Sequence, residues 1–188
     1  MKRIEFDKVT TRGGDDGRSS LYSGERRFKD EDVFWVLGDL DELMSVLGIV
    51  RHAMDASERL RREIRAIDTV QHTLMTVCTV LATAPGSEES ARVPNISDRD
   101  VEKLERREKA LLDRTTIGGE FVLPGAQGSS IPEIDLARAV TRRCERRIVT
   151  LIRSSGRADE EARVCRQYVN RLSDYLFVLA RYCEQQSA

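Results

Sequence analysis

The sequence predicts an all-α fold, one domain over residues 1–188 built as a five-helix bundle behind an N-terminal loop over 1–30. Two observations carry that expectation. Apolar residues recur at alternating spacings of three and four through five segments between 31 and 188, the period of one helix face. Short polar stretches join these segments, and no convincing strand pattern appears. Composition agrees: 40% apolar and 34% charged residues, with 4 prolines and 12 glycines, exclude a disordered, collagen-like or low-complexity chain. Aromatics at 5% disfavour base-stacking platforms and sandwich-type cores. A chain of this size typically buries roughly 70% of its unfolded surface, so it needs no disulfide or metal staple.

The elements follow in order. Thr10 to Ser20 is rich in Gly, Asp and Ser without periodicity and reads as loop. The first long helix starts near Glu31 and is striped by Val33, Leu37, Leu40, Met44, Leu47 and Met54. A second has a capping signal, Asp55 with Glu58 three residues on, and the stripe Leu60, Ile64, Ile67, Gln71, Leu74, Cys78, Leu81. Ala84-Pro85-Gly86-Ser87 ends it. A third is capped by Ser97 with Asp100 and striped by Val101, Leu104, Leu111 and Leu112. Gly118 to Pro132 reads as loop; Pro132 suits the first turn of a fourth helix, and Gly156 its C-terminal cap. The last carries Cys165, Val169, Leu172, Leu176, Leu179 and Cys183. These stripes are long for one small bundle and leave surface for subunit packing.

Lys+Arg 31 against Asp+Glu 32 gives a net charge of -1, which offers no field for nucleic acid or anionic lipid. The uncharged run Thr69–Ser87 contains threonines, Gln71 and His72, and reads as a core helix rather than a membrane span. The start lacks the apolar stretch of a signal peptide, and the four cysteines form no C-x-x-C pair and fall on or beside helix stripes. They read as reduced core residues, and the expected address is the cytoplasm. A protein-ligated metal is not expected, because His52 and His72 lack the Glu-x-x-His and zinc spacings.

Chemistry concentrates in four places. Thr11-Arg12-Gly13-Gly14-Asp15-Asp16-Gly17-Arg18 with Lys29 offers glycine-freed N–H groups and cations for an oxyanion, although it is not a Walker loop. Two exposed N-terminal turns would read the same. In the fourth helix Arg138, Arg142 and Glu145, spaced four and three apart, form a row beside the core stripe Ala137, Val140, Cys144, Ile148. That row suits a cleft wall or subunit interface where guanidiniums grip phosphates. A solvated face has the same spacing, and Arg143, Arg146 and Arg147 read that way. Asp41 and Glu42 in the first long helix could pair with arginines of the fourth, and Gly38 and Gly48 could permit close helix approach. Phe121, in a loop before Leu123-Pro124-Gly125, suits a wedge against a flat ligand or a plug for the bundle end.

Five collinear blocks resemble the PduO-type ATP:cob(I)alamin adenosyltransferases over most of the chain. Thr11 to Leu21 is similar to T-R-x-G-D-x-G-x-x-S-L, with Lys29 matching the lysine after G-E-R. Gly38, Asp41, Glu42, Leu43 and Ser45 match G-x-x-D-E-L-x-S. Phe121, Leu123, Pro124 and Gly125 match F-x-L-P-G. Arg138, Arg142, Arg143, Glu145 and Arg146 match R-x-x-x-R-R-x-E-R, and Asn170 to Tyr175 match N-R-L-S-D-Y. Where the family pattern has lysine, this chain has Asp16; Gly13, Met44 and Ala126 also depart from it.

The resemblance implies a homotrimer of five-helix bundles with active sites between subunits. It implies transfer of the 5′-deoxyadenosyl group of ATP, carried with Mg²⁺, to the cobalt of a reduced corrinoid, giving adenosylcobalamin and triphosphate. Thr11, Arg12, Gly14, Asp15, Gly17, Arg18 and Lys29 are expected around the triphosphate, and Arg142, Glu145 and Asn170 around the nucleotide and its Mg²⁺. Phe121, Leu123 and Pro124 are expected at the corrin, with Phe121 displacing the lower axial ligand. Arg138 would pair with Asp41 of the adjacent subunit. A reductase supplying the electron and an adenosylcobalamin-dependent enzyme receiving the product are expected partners; nucleic acid and membrane are not. The departures keep an alternative open: a non-catalytic corrinoid or nucleotide carrier or sensor with a degenerate phosphate loop.

Overall fold

A computed structural model describes residues 3–54, 58–125 and 131–187. Five long helices form the bundle: α2 (Asp32–Met54), α3 (Arg61–Leu81), α4 (Asp98–Leu112), α5 (Glu133–Ser155) and α6 (Glu160–Ser187). Before them come one turn of helix, α1 (Phe6–Val9), and a hairpin of β1 (Arg18–Ser20) and β2 (Arg26–Phe28). The hairpin corrects the expectation of no strand. It is antiparallel, with Ser19 opposite Arg27, and Gly24 turns it at φ 82°. Such a short pair shows no period-two stripe, so its sequence reads as loop. Tyr22 N–H donates to the Ala82 carbonyl at 3.1 Å and pins the hairpin to the end of α3.

Helix α2 packs on α3 and α5, and α6 packs on α5 and α4 and touches α3. The central element is therefore α6. It buries the expected Cys165, Val169, Leu172, Leu176, Leu179 and Cys183, and also Tyr168, Tyr175, Val178 and Tyr182. A helix covered by three neighbours is apolar beyond one stripe. In α2 the same effect moves the core: Val36, Leu43, Val46 and Val50 are buried, whereas the expected Leu37 and Met44 are only partly so.

Polar groups in the bundle are tied to backbone. Gln71, the polar member of the α3 stripe, donates to the Met44 carbonyl at 2.8 Å and accepts from Arg51 at 2.8 Å, joining α3 to α2. Arg157 donates to the carbonyls of Val80, Leu81 and Thr83 at 3.1–3.3 Å, filling acceptors that the end of α3 leaves open. The Asp100 carboxylate accepts from the Ser97 N–H and hydroxyl at 3.1 Å, as the capping pattern predicts. Gly156 ends α5 in the left-handed conformation, φ 65°. Asp55, the other expected cap, lies outside the described residues.

The four cysteines are free thiols, three of them buried. Burial pushes Cys78 up to about 11 and Cys144, Cys165 and Cys183 up to about 12. Among the described residues no helix is long and apolar enough to cross a membrane.

Candidate active site

One wall of the site is the seam of α5 and α6. The spacing that predicts a row on α5 holds: Arg138 and Arg142 line a cleft of about 390 Å³ with Ser173, Asp174 and Phe177 of α6 and Glu108 of α4. Burial, then Asp174, push the Glu108 carboxyl above its ordinary range. One turn further along α5, Glu145 accepts a hydrogen bond from the Asn170 amide at 2.8 Å. Arg142 is exposed and makes no ion pair among the described residues. Arg138 has its Nε buried without a hydrogen-bond partner, 3.8 Å from the Asp135 carboxylate. Asp41, on α2, is exposed and makes no ion pair among the described residues.

The other arginines of α5 correct their expected role. Arg143 pairs with Glu42, and also with Asp39 at 3.3 Å; Arg147 reaches Asp39 at 3.7 Å and stacks 4.9 Å from the Trp35 ring. These pairs tie α2 to α5 rather than forming a merely solvated face; of Arg143, Arg146 and Arg147, Arg146 is the one that is exposed. Gly38 does not serve close approach within the chain, since a Cβ there meets nothing within 4 Å, and at Gly48 it makes ordinary contact with Gln71 at 3.8 Å.

At the start of α5, a charge cluster positions the loop that carries Phe121. Asp135 and Arg181, 5% and 6% exposed at the side chain, pair at 3.0 Å, and the same Asp135 oxygen accepts the Gly125 N–H at 3.4 Å. The Leu123-Pro124-Gly125 turn is thereby anchored, and Phe121 and Leu123 project outward, Phe121 fully exposed and Leu123 73% so. Phe121 does not plug the bundle. Ala126 lies outside the described residues.

The N-terminal loop is a closed turn system. Arg26 donates to the Gly13 carbonyl at 2.8 Å and grips both Asp16 oxygens at 2.9 and 3.0 Å. The Arg18 N–H donates to Asp16 at 3.1 Å; this bond, then the Arg26 charge, hold the Asp16 carboxyl below its usual range. Lys29 Nζ donates to the Gly14 carbonyl at 2.8 Å, and a Cβ on Gly14 would stand 2.7 Å from that nitrogen. Gly17 has φ 79°, and Arg12 adopts the left-handed region at φ 54°. Thr11 Oγ1 accepts the Gly13 N–H at 3.4 Å, and Arg18 stacks 4.4 Å from the Phe28 ring. Asp15 is exposed.

The structure thus brings together Arg138, Arg142, Glu145 and Asn170 on one seam, and Thr11 to Lys29 in one loop system. It does not join the two: among the described residues no hydrogen bond or ion pair connects them within the chain. The hairpin residues Leu21, Glu25 and Arg27 share a cavity with Leu151 and Ser155, nine or more residues past Arg142 and so about 13 Å or more along the α5 axis.

Sequence reasoning missed Arg26, Asp39, Asp135 and Arg181. A signal existed for Asp135, three residues before Arg138 on the same face. Another existed for Arg26, inside the G-E-R block. For Asp39 and Arg181 only the packing reveals the partner.

Seam, loop and anchored aromatic together define a class of helical bundle that sets an arginine-lined cleft and a glycine-rich N-terminal loop alongside an exposed apolar loop. The pattern of the cobalamin adenosyltransferase family matches residues 9–183, and the chain belongs to that family. It is 34% identical to the corrinoid adenosyltransferase MMAB of Bos taurus over 96% of this chain and 73% of that one. To a corrinoid adenosyltransferase of Citrobacter freundii it is 33% identical, covering 93% of each. It superposes with a TM-score of 0.82, at 26% identity, on a variant PduO-type ATP:corrinoid adenosyltransferase from Lactobacillus reuteri complexed with cobalamin and ATP, covering 96% of this chain and 97% of that one.

Proposed function

We propose that this chain transfers the 5′-deoxyadenosyl group of ATP to the cobalt of a reduced corrinoid. The observation that carries the reading is the Asn170–Glu145 bond beside an uncommitted Arg142, on a chain of this family. The cobalt(I) electron pair forms the bond to C5′, the C5′–O bond breaks, and its pair leaves with triphosphate. Cobalt is formally oxidised by two electrons, and no proton moves. The reaction needs positioning and charge neutralisation rather than a side-chain nucleophile.

The roles follow. Arg142, Glu145 and Asn170 hold the nucleotide and the Mg²⁺ it carries, with Glu145 oriented by Asn170. The backbone of Thr11 to Gly17, with Arg12, Arg18 and Lys29, receives the triphosphate. Phe121, Leu123 and Pro124 meet the corrin, where Phe121 keeps the lower axial position free. Seam and loop lie apart within one chain, which supports a site completed by a second copy, with Arg138 paired to Asp41 of a neighbour in a homotrimer. A cytoplasmic address, a reductase as electron source and an adenosylcobalamin-dependent acceptor fit this chemistry.

The carrier or sensor alternative gains nothing from Asp16, because Arg26 already neutralises it. The test is Arg142→Ala. Removing one such charge-stabilising donor typically costs on the order of 10²–10³ in turnover, and a loss of that size with the helical fold intact is expected. Undiminished activity would overturn the assignment.

A further inference from the structure

A second cationic cavity lies on the face of the bundle away from the seam. It measures about 300 Å³ and sits between α3, α4 and α6. Arg62 and Arg65 of α3, Arg107 of α4 and Arg114, two residues past the end of α4, line it, with Thr69 and Tyr175 beside them. Against four guanidiniums stands one carboxylate, Glu63, which is 5% exposed.

These arginines are uncommitted in a chain where arginine is commonly matched. Arg157 is held by Asp159, Arg163 by Asp98 and Glu160, and Arg171 by Glu105 and Asp174. None of the four in the cavity makes an ion pair among the described residues. Arg107 donates only to the Ala66 carbonyl at 3.4 Å, and Arg114 rests 4.9 Å from the Tyr182 ring. A net charge of -1 means that this local excess is not a by-product of a basic chain. Like charges held around a concavity raise its positive potential, which an entering anion relieves. The placement suits a multivalent one: Arg62, Arg65 and Thr69 succeed one another on one face of α3, and across the cavity stand Arg107 of α4 and Arg114 just past its C-terminal end. Guanidiniums from two helices can then each grip phosphate oxygens in pairs.

We propose that this cavity is a second anion site, which takes a compact inorganic oligophosphate, pyrophosphate or triphosphate. A nucleotide or corrin fits poorly, because the only aromatic ring in the lining, Tyr175, is 1% exposed and offers no face to stack on. The site is separate from the seam: Glu108 faces the Arg142 cleft, whereas its neighbour Arg107 faces α3. The inference does not depend on the proposed reaction.

The experiment is calorimetric titration of the full chain with pyrophosphate and with triphosphate, in wild type, Arg142→Ala and the double variant Arg62→Gln/Arg65→Gln. Arg62 and Arg65 are exposed and make no bond that holds the fold. Arg142→Ala should retain one binding event per chain, and Arg62→Gln/Arg65→Gln should weaken that event at least about tenfold, a change of roughly 1.4 kcal/mol. Adenosyl transfer in the double variant, measured at low anion concentration, should equal wild type. Loss of all anion binding in Arg142→Ala, or binding indifferent to the double substitution, would overturn the site. Failure of the chain to adenosylate corrinoid would leave this result readable.

Discussion

Asp16 stands where the family pattern has a lysine, and its carboxylate is occupied by Arg26 at 2.9 and 3.0 Å and by the Arg18 N–H at 3.1 Å. Asp16→Lys therefore removes a clamp rather than restoring a phosphate ligand. The substitution frees the Arg26 guanidinium and the Arg18 N–H that order the loop, so the expected result is a modest rise in KM for ATP, about three- to tenfold. Arg26→Ala should do the same, and steady-state kinetics checks both. A large gain in ATP affinity for Asp16→Lys would instead mark the loop as degenerate. The sign with pH follows from a lowered carboxyl: the clamp is complete above the unfolded value of about 4 and is lost only as pH falls through the lower folded value. KM for ATP should then show no inflection from this group between about pH 5 and 8. At this scale the sequence makes Arg142 and Glu145 legible, since helical spacing alone aligns them. Arg26 is not, because a side chain crossing a hairpin to Asp16 leaves no periodic trace.

At the scale of elements, helix α5 links three tasks: its first turn anchors the Phe121 loop through Asp135, its middle carries Arg142 and Glu145, and its outer side grips α2 through Arg143 and Arg147. Asp135→Ala leaves the buried Arg181 with Glu184, at 2.7 Å, as its remaining carboxylate partner. Leaving a buried charge wholly unpaired costs about 3–5 kcal/mol, so with Glu184 retained denaturant unfolding should read a smaller destabilisation, on the order of 2 kcal/mol. The buried thiols give a second prediction. Their values of about 11 to 12 keep them protonated at pH 8, and the thiolate is the reactive form. Native protein should react slowly with a disulfide reagent, the partly exposed Cys78 first, and all four thiols should titrate after unfolding. Fast reaction of all four in native protein would contradict this packing. The long helices, the Ser97 cap and the Gly156 stop are readable in sequence because local physics sets them. The hairpin is not, since three-residue strands hold too little pattern and depend on docking at Ala82.

For the whole molecule, among the described residues Asp41 makes no ion pair and Arg138 only a 3.8 Å approach to Asp135, and no hydrogen bond or ion pair joins the α5–α6 seam to the N-terminal loop. The proposed homotrimer, in which neighbours supply these partners, would account for both. Asp41→Arg or Arg138→Asp alone should weaken assembly in sedimentation and lower activity, and the charge-swapped double variant should regain both in part. Sedimentation unchanged in both single variants would remove this pair from the interface. The central claim is adenosyl transfer itself, and it is tested most directly by an anaerobic absorbance assay of the wild-type chain with chemically reduced cob(I)alamin and Mg-ATP. The account predicts growth of the adenosylcobalamin spectrum with one triphosphate released per corrinoid converted. Corrinoid and ATP both bound by folded protein, with no conversion, would contradict it.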